Sequence, residues 1–147
     1  MCQVRLYNFS MPDIGYSGVP LAKKLGLKSP LKLLTINAPK EYKLWLGDLP
    51  DGVSLMTKVS KPIEAAHVFT TERVFLDATL SKLRNELQQD GFIWVSWPKK
   101  ASKVQTDITE DIIREIALPL GFVDIKVCAV SDVWSGLKLV IRKSERK

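Results

Sequence analysis

The chain has 147 residues, and its 22 basic and 16 acidic side chains give a formal charge of +6 and an isoelectric point near 9.4. Hydrophobic residues make up 46% and charged residues 26%, with mean hydropathy near zero; this fits one globular domain over 1–147 and excludes a disordered chain, a collagen and a coiled-coil rod. No run approaches the roughly 20 apolar residues that span a bilayer, and the first residues lack the apolar core of a signal peptide, so a cytoplasmic protein is expected.

Residues 1–17 read as irregular, punctuated by Pro12 and Gly15. A short helix is predicted over 19–25, with Pro20 in its first turn and Gly26 ending it. The apolar run 31–37 lies between Pro30 and Pro39 and reads as a buried strand. Pro39 opens a helix over 40–46, closed by Gly47. Strands over 53–59 and 65–70 follow, separated by a break at 60–62. The longest helix is predicted over 72–89, because Leu76, Leu80, Leu83 and Leu87 line one face. Asp90 and Gly91 end it, and the apolar strand 92–97 stops at Pro98. After a polar loop over 99–106, Asp107 and Glu110 have the spacing of a capping box. The helix they open carries Ile112, Ile113, Ile116 and Leu120 on one face and ends at Gly121. Strands over 122–130 and 134–142 finish the domain, joined by a turn at 131–133, with a basic tail over 143–147.

Strands alternating with helices imply an α/β fold: a three-layer, Rossmann-like domain with a mostly parallel sheet. The last two strands are joined too tightly for a crossover and form a C-terminal antiparallel hairpin. An exposed last strand would offer an edge for a homodimer.

The strand at 66–70, the long helix, Gly91 before the strand 92–97, and Gly121-Phe122 leading into two final strands together resemble the second half of a class I methyltransferase domain. The segments at 15–26, 97–102, 106–111 and 127–139 resemble those of a small uncharacterised bacterial domain-of-unknown-function family, which brings no activity with it. The methyltransferase resemblance implies a glycine-rich cofactor turn after the first strand and an acid ending the second, which takes ribose hydroxyls. The turn reads Asn37-Ala38-Pro39-Lys40-Glu41 instead, without glycine and with one amide donor removed by Pro39. Lys58 and Lys61 stand where the acid would be, and the link before the third strand is too short for a helix. The expected fold is thus a truncated relative, and these departures argue against adenosylmethionine as its cofactor.

In a parallel α/β sheet the default site is the crevice at the C-terminal ends of the strands. The candidate ligand-binding residues there are Asn37, Thr70, Thr71, Trp97, Lys99, Lys100, Ser102 and Lys103. Trp97 beside two ammonium groups would suit a nucleotide or another anion. The Tyr16-Ser17-Gly18 segment could fold over that crevice, or be a plain loop. Trp134-Ser135-Gly136 could mark a second site or a self-association surface. His67, between Ala66 and Val68, reads as structural, since no nucleophile or acid is tied to it in sequence. Cys128 sits in an apolar run and reads as buried, Cys2 as exposed, and the two have no metal-ligand spacing.

Basic side chains cluster at Arg5 to Lys32, at Lys99 to Lys103, and in the tail at Arg142, Lys143, Arg146 and Lys147. The leading expectation is a non-catalytic binding or regulatory module that holds an anion or nucleotide in the crevice, with no catalytic residue and no metal. One alternative is a divergent adenosylmethionine-dependent methyltransferase-like enzyme. Another is a nucleic-acid-binding protein that uses the basic clusters.

Overall fold

The structure, a computed structural model, describes residues 19–147. The stretch over 1–17, the Tyr16-Ser17-Gly18 segment, Cys2 and Arg5 lie outside the described residues. The strands are β1 (Leu31–Ile36), β2 (Val53–Met56), β3 (Ile63–Phe69), β4 (Leu87–Pro98), β5 (Phe122–Ala129) and β6 (Trp134–Ile141). The helices are α1 (Leu21–Lys24), α2 (Tyr42–Leu46), α3 (Arg73–Glu86) and α4 (Glu110–Ala117). One sheet takes the order β2-β1-β3-β4-β6-β5. The pairs among β1 to β4 are parallel, and β6 runs antiparallel to both β4 and β5.

Both faces are covered, as the continuous apolar strands require. Successive side chains of a strand point to opposite faces, so β4 serves two cores. Val95 and Trp97 pack with Leu76, Leu80 and Leu83 of α3 and Ile113 and Ile116 of α4. Trp94 faces the other way, toward Leu21 and Leu25 at α1 and Tyr42 and Leu46 of α2. The Trp94 indole is fully buried, and its Nε1–H donates to the Leu25 carbonyl at 2.9 Å, which closes the end of α1. The three-layer α/β fold expected from the sequence is the one observed.

Several local expectations are corrected. The long helix ends at Glu86 rather than at 89, and β4 starts at once with Leu87. Leu87 keeps the leucine face buried, but its backbone is extended and pairs with Ile63; a leucine at that spacing suits either state. The capping box does not form. Thr109 is the N-cap of α4, its Oγ1 accepting from the Ile112 amide at 3.1 Å. Asp107 instead crosses to α3, where Oδ1 accepts from the Arg73 amide at 2.7 Å and satisfies a donor of that helix's first turn. Asp107→Ala is therefore expected to cost about 1 kcal/mol, read as a lower urea midpoint with an unchanged slope. The last strand is not an edge: β6 lies between β4 and β5, and the sheet's edges are β2 and β5.

Candidate functional site

The chain leaves β1 through α2 toward β2, and leaves β3 through α3 toward β4 on the other side. The direction of travel thus reverses between β1 and β3, the switch point beyond whose strand ends such sheets form their ligand crevice. Ile36 of β1 is level with Val68 of β3, so Asn37 follows on one side of the opening, with Thr70 and Thr71 on the other. Residues 57–62 link β2 directly to β3 with no helix or strand between, held to α3 by the Lys61–Glu86 ion pair at 3.4 Å.

Asn37 is exposed and has a φ of 58°. Left-handed backbone is the conformation that a glycine supplies in such turns, and asparagine is among the few other residues that adopt it readily. The turn without glycine therefore still makes the bend. Residue 71 is half-buried, and among the described residues neither the Asn37 amide nor the Thr71 hydroxyl has a hydrogen-bond partner.

The other candidate residues are engaged differently. The buried Thr70 accepts from the Glu72 amide at 3.0 Å and turns the chain into α3. Trp97 is 8% exposed and packs in the core on the α3 and α4 face, so its ring offers no open surface. Ser102 donates to the Lys99 carbonyl at 2.6 Å and accepts from the Val104 amide at 3.2 Å, which shapes the short 3-10 turn of Lys100–Ser102. Lys100 and Lys103 flank that turn in the open. Lys99 is half-buried, and its amide donates to the Val133 carbonyl at 2.7 Å. Burial pulls its ammonium below the usual lysine range; Asp132 opposes that shift and Lys24 adds to it. The crevice thus gathers Asn37 and Thr71, while the lysines form a separate group near α1.

A buried chain of polar groups lies behind the crevice. Tyr42 Oη is 2.6 Å from His67 Nδ1, and His67 Nε2 is 2.7 Å from Ser96 Oγ. The imidazole stacks on Phe69 with ring centroids 4.3 Å apart. Burial holds the His67 pKa down at about 3 and pushes the Tyr42 phenol far above its ordinary value. The imidazole is therefore neutral, and the network pins α2, and with it the turn 37–41, onto β3 and β4. His67 is structural, as expected. Its partners were not legible, because they lie 25 and 29 residues away and carry no shared motif.

Cys128 is buried, at 8% exposure. Among the described residues no group of three His, Cys, Asp or Glu side chains is placed to hold a metal, and no helix is long and apolar enough to cross a membrane. The basic tail lies apart from Lys99 to Lys103. The tail follows β6 to the opposite end of the sheet, where Arg142 and Arg146 bond the carbonyls of Leu118 and Ile141.

No family model and no curated protein matches the sequence, so the resemblance to a domain-of-unknown-function family is not supported. Solved structures do match. A Sulfolobus solfataricus structure assigned to the type 11 methyltransferases superposes with a TM-score of 0.60 at 13% identity, over 86% of this chain and 92% of that one. A SAM-dependent methyltransferase from Aquifex aeolicus gives 0.58 at 11% identity, over 82% and 87%. The 1,6-didemethyltoxoflavin-N1-methyltransferase of Burkholderia thailandensis, with S-adenosylhomocysteine bound, gives 0.55 at 12% identity, over 84% and 75%. The expectation that set adenosylmethionine aside is overturned, since the folds that match are those of enzymes that use it, one of them holding its demethylated product. Its physical basis also weakens, because Asn37 makes the bend for which no glycine is present. At this level of identity the likeness establishes architecture: the chain has the Rossmann-like fold of class I methyltransferases, with β2 joined straight to β3.

Proposed function

We propose that this chain is a methyltransferase-like domain that binds adenosylmethionine in the crevice between β1 and β3. The observation that carries the reading is the pairing, within that fold, of two unengaged polar side chains across the strand-order reversal, Asn37 after β1 and Thr71 after β3. Such groups are the donors and acceptors that a polar ligand needs at a switch point. A φ of 58° at Asn37 brings the backbone round as a glycine would, and the exposed Lys40 in the same turn and Lys58 after β2 would offer positive charge to a carboxylate. The bound group would supply an electrophilic methyl. Asn37 and Thr71 would orient it by hydrogen bonds, and the Tyr42–His67–Ser96 chain would keep the turn in place behind them. No carboxylate ends β2, where Thr57 and Lys58 follow Met56, so binding weaker than that of a complete fold is expected.

This reading outranks the anion-binding module expected from the sequence because the aromatic partner assigned to that module, Trp97, is packed in the core. A thermal-shift series tests it. Adenosylmethionine at about 100 times its Kd should add about 2.7 kcal/mol of stability, a rise in Tm of about 5–10 °C for a domain of this size. Asn37→Val places a β-branched residue at a positive φ and should flatten the response. An unchanged Tm at millimolar ligand would overturn the reading.

A further inference from the structure

Four lysines outside the ion pairs end α1 or follow β4 near the C-terminal end of the sheet. The ion pairs among the described residues join Lys61 to Glu86, Arg73 to Glu115, Arg84 and Arg142 to Glu145, and Arg114 to Glu110, Asp111 and Asp124. None involves Lys24, Lys99, Lys100 or Lys103. Lys24 in the last turn of α1 neighbours Lys99 at the end of β4, and Lys100 and Lys103 follow in the same loop. One carboxylate, Asp132, stands among them. Two like charges held together, one of them half-buried, favour an anion between them.

An aromatic ring adjoins these lysines. Trp134 is level with Pro98 across the β4–β6 pair, and the residue before it accepts the Lys99 amide. It is half-buried, packing edge-on against Phe69 at 5.2 Å at the margin of the core on the α1 and α2 face. The combination of aromatic and ammonium groups looked for at Trp97 is thus built from Trp134.

We propose that Lys24, Lys99, Lys100, Lys103 and Trp134 form the docking surface for a single strand of nucleic acid, and that such a strand is the substrate class of the adjoining crevice. The second clause rests on the adenosylmethionine reading above. Lysines on separate elements supply point charges for successive phosphates, and a half-open indole supplies a stacking face for a base. A small anion would use the charges but not the ring, and an acidic peptide would have no use for a stacking face.

Fluorescence anisotropy on the full chain tests this, with labelled single-stranded RNA and DNA of about 12 nucleotides in separate arms. Four lysine contacts predict a log–log salt dependence of about −3 for a single strand. Lys99→Gln/Lys100→Gln/Lys103→Gln should flatten it to about −1 and weaken binding at least tenfold. If the triple variant folds poorly, the exposed pair Lys100→Gln/Lys103→Gln should flatten it to about −1.5. Trp134→Leu should weaken binding about tenfold and leave the salt slope unchanged. Binding in either arm with these changes supports the surface, and the tighter arm names the strand. No saturable binding, equal binding by wild type and variants, or displacement by polyglutamate at equal charge would overturn it. The wild type is titrated in parallel with adenosylmethionine. Strand binding without cofactor binding sinks the donor reading and leaves the docking surface; the reverse sinks the docking surface alone.

Discussion

Below pH 6.5 the protein is expected to lose about 1.4 kcal/mol of stability per pH unit from one group, His67. The folded pKa lies at about 3 and the unfolded value at 6.5. Between those limits the unfolded chain binds a proton that the folded chain excludes, so unfolding gains as pH falls. The contribution is complete above pH 6.5 and is lost as pH drops toward 3. Across the window it amounts to about 5 kcal/mol, a large share of the 5–15 kcal/mol typical of a domain. The cause is burial, which takes the charged imidazolium out of water. Both ring nitrogens are engaged with Tyr42 and Ser96, the ring stacks on Phe69, and among the described residues no carboxylate offsets the cost of an imidazolium. Urea denaturation at pH 7.5, 6.5 and 5.5 measures the slope. His67→Gln keeps a donor and an acceptor at the site and should remove the slope above pH 5, where carboxylates contribute little. Equal slopes in wild type and variant would show that His67 is already charged or exposed in the folded chain.

Trp94→Ala should cost about 3–5 kcal/mol, a large share of the 5–15 kcal/mol typical of a domain. The indole fills the core between the sheet and α1, and its Nε1–H closes the α1 end at Leu25. A methyl group at Gly136 would come within 3.1 Å of the ring, so little room surrounds it and the cavity left by truncation cannot collapse cheaply. Trp94→Phe should cost about 1–2 kcal/mol, since it keeps most of the volume and loses the hydrogen bond. The two variants, compared by chemical denaturation, separate packing from bonding. Equal losses would mean that the carbonyl bond at Leu25, and not the filled core, dominates.

The architecture was legible because hydrophobic runs, prolines and glycines mark strands and turns locally. The run from Phe92 to Trp97 could only be a strand buried on both faces, and Gly121 followed by Phe122 had to start a new one. What was not legible depends on contacts between distant residues. Asp107 looked like a cap for the helix just after it, yet its carboxylate reaches Arg73, 34 residues back. Trp97 of β4 and Trp134 of β6 lie side by side at one end of the sheet, and only the alternation of the paired strands turns the first to the α3–α4 face and the second, half-buried, to the α1–α2 face. The turn at Asn37 misled for a related reason. A turn without glycine argues against close approach of the backbone to a ligand, yet asparagine takes the left-handed conformation that glycine would supply. Of the candidate residues, the structure sets Asn37 and Thr71 across one crevice, gives Thr70 and Ser102 to local turns, and groups Lys99, Lys100 and Lys103 beside it.

The crevice between β1 and β3 is proposed to take the cofactor used by the enzymes whose fold this chain shares. Isothermal titration of the full chain with adenosylmethionine, repeated with adenosylhomocysteine, tests it most directly. Saturable one-to-one binding of both, with the product competing for the same site and Asn37→Val weakening each, is the expected result. A folded chain that returns no heat of binding for either compound at millimolar concentration would contradict it and leave the fold without its cofactor.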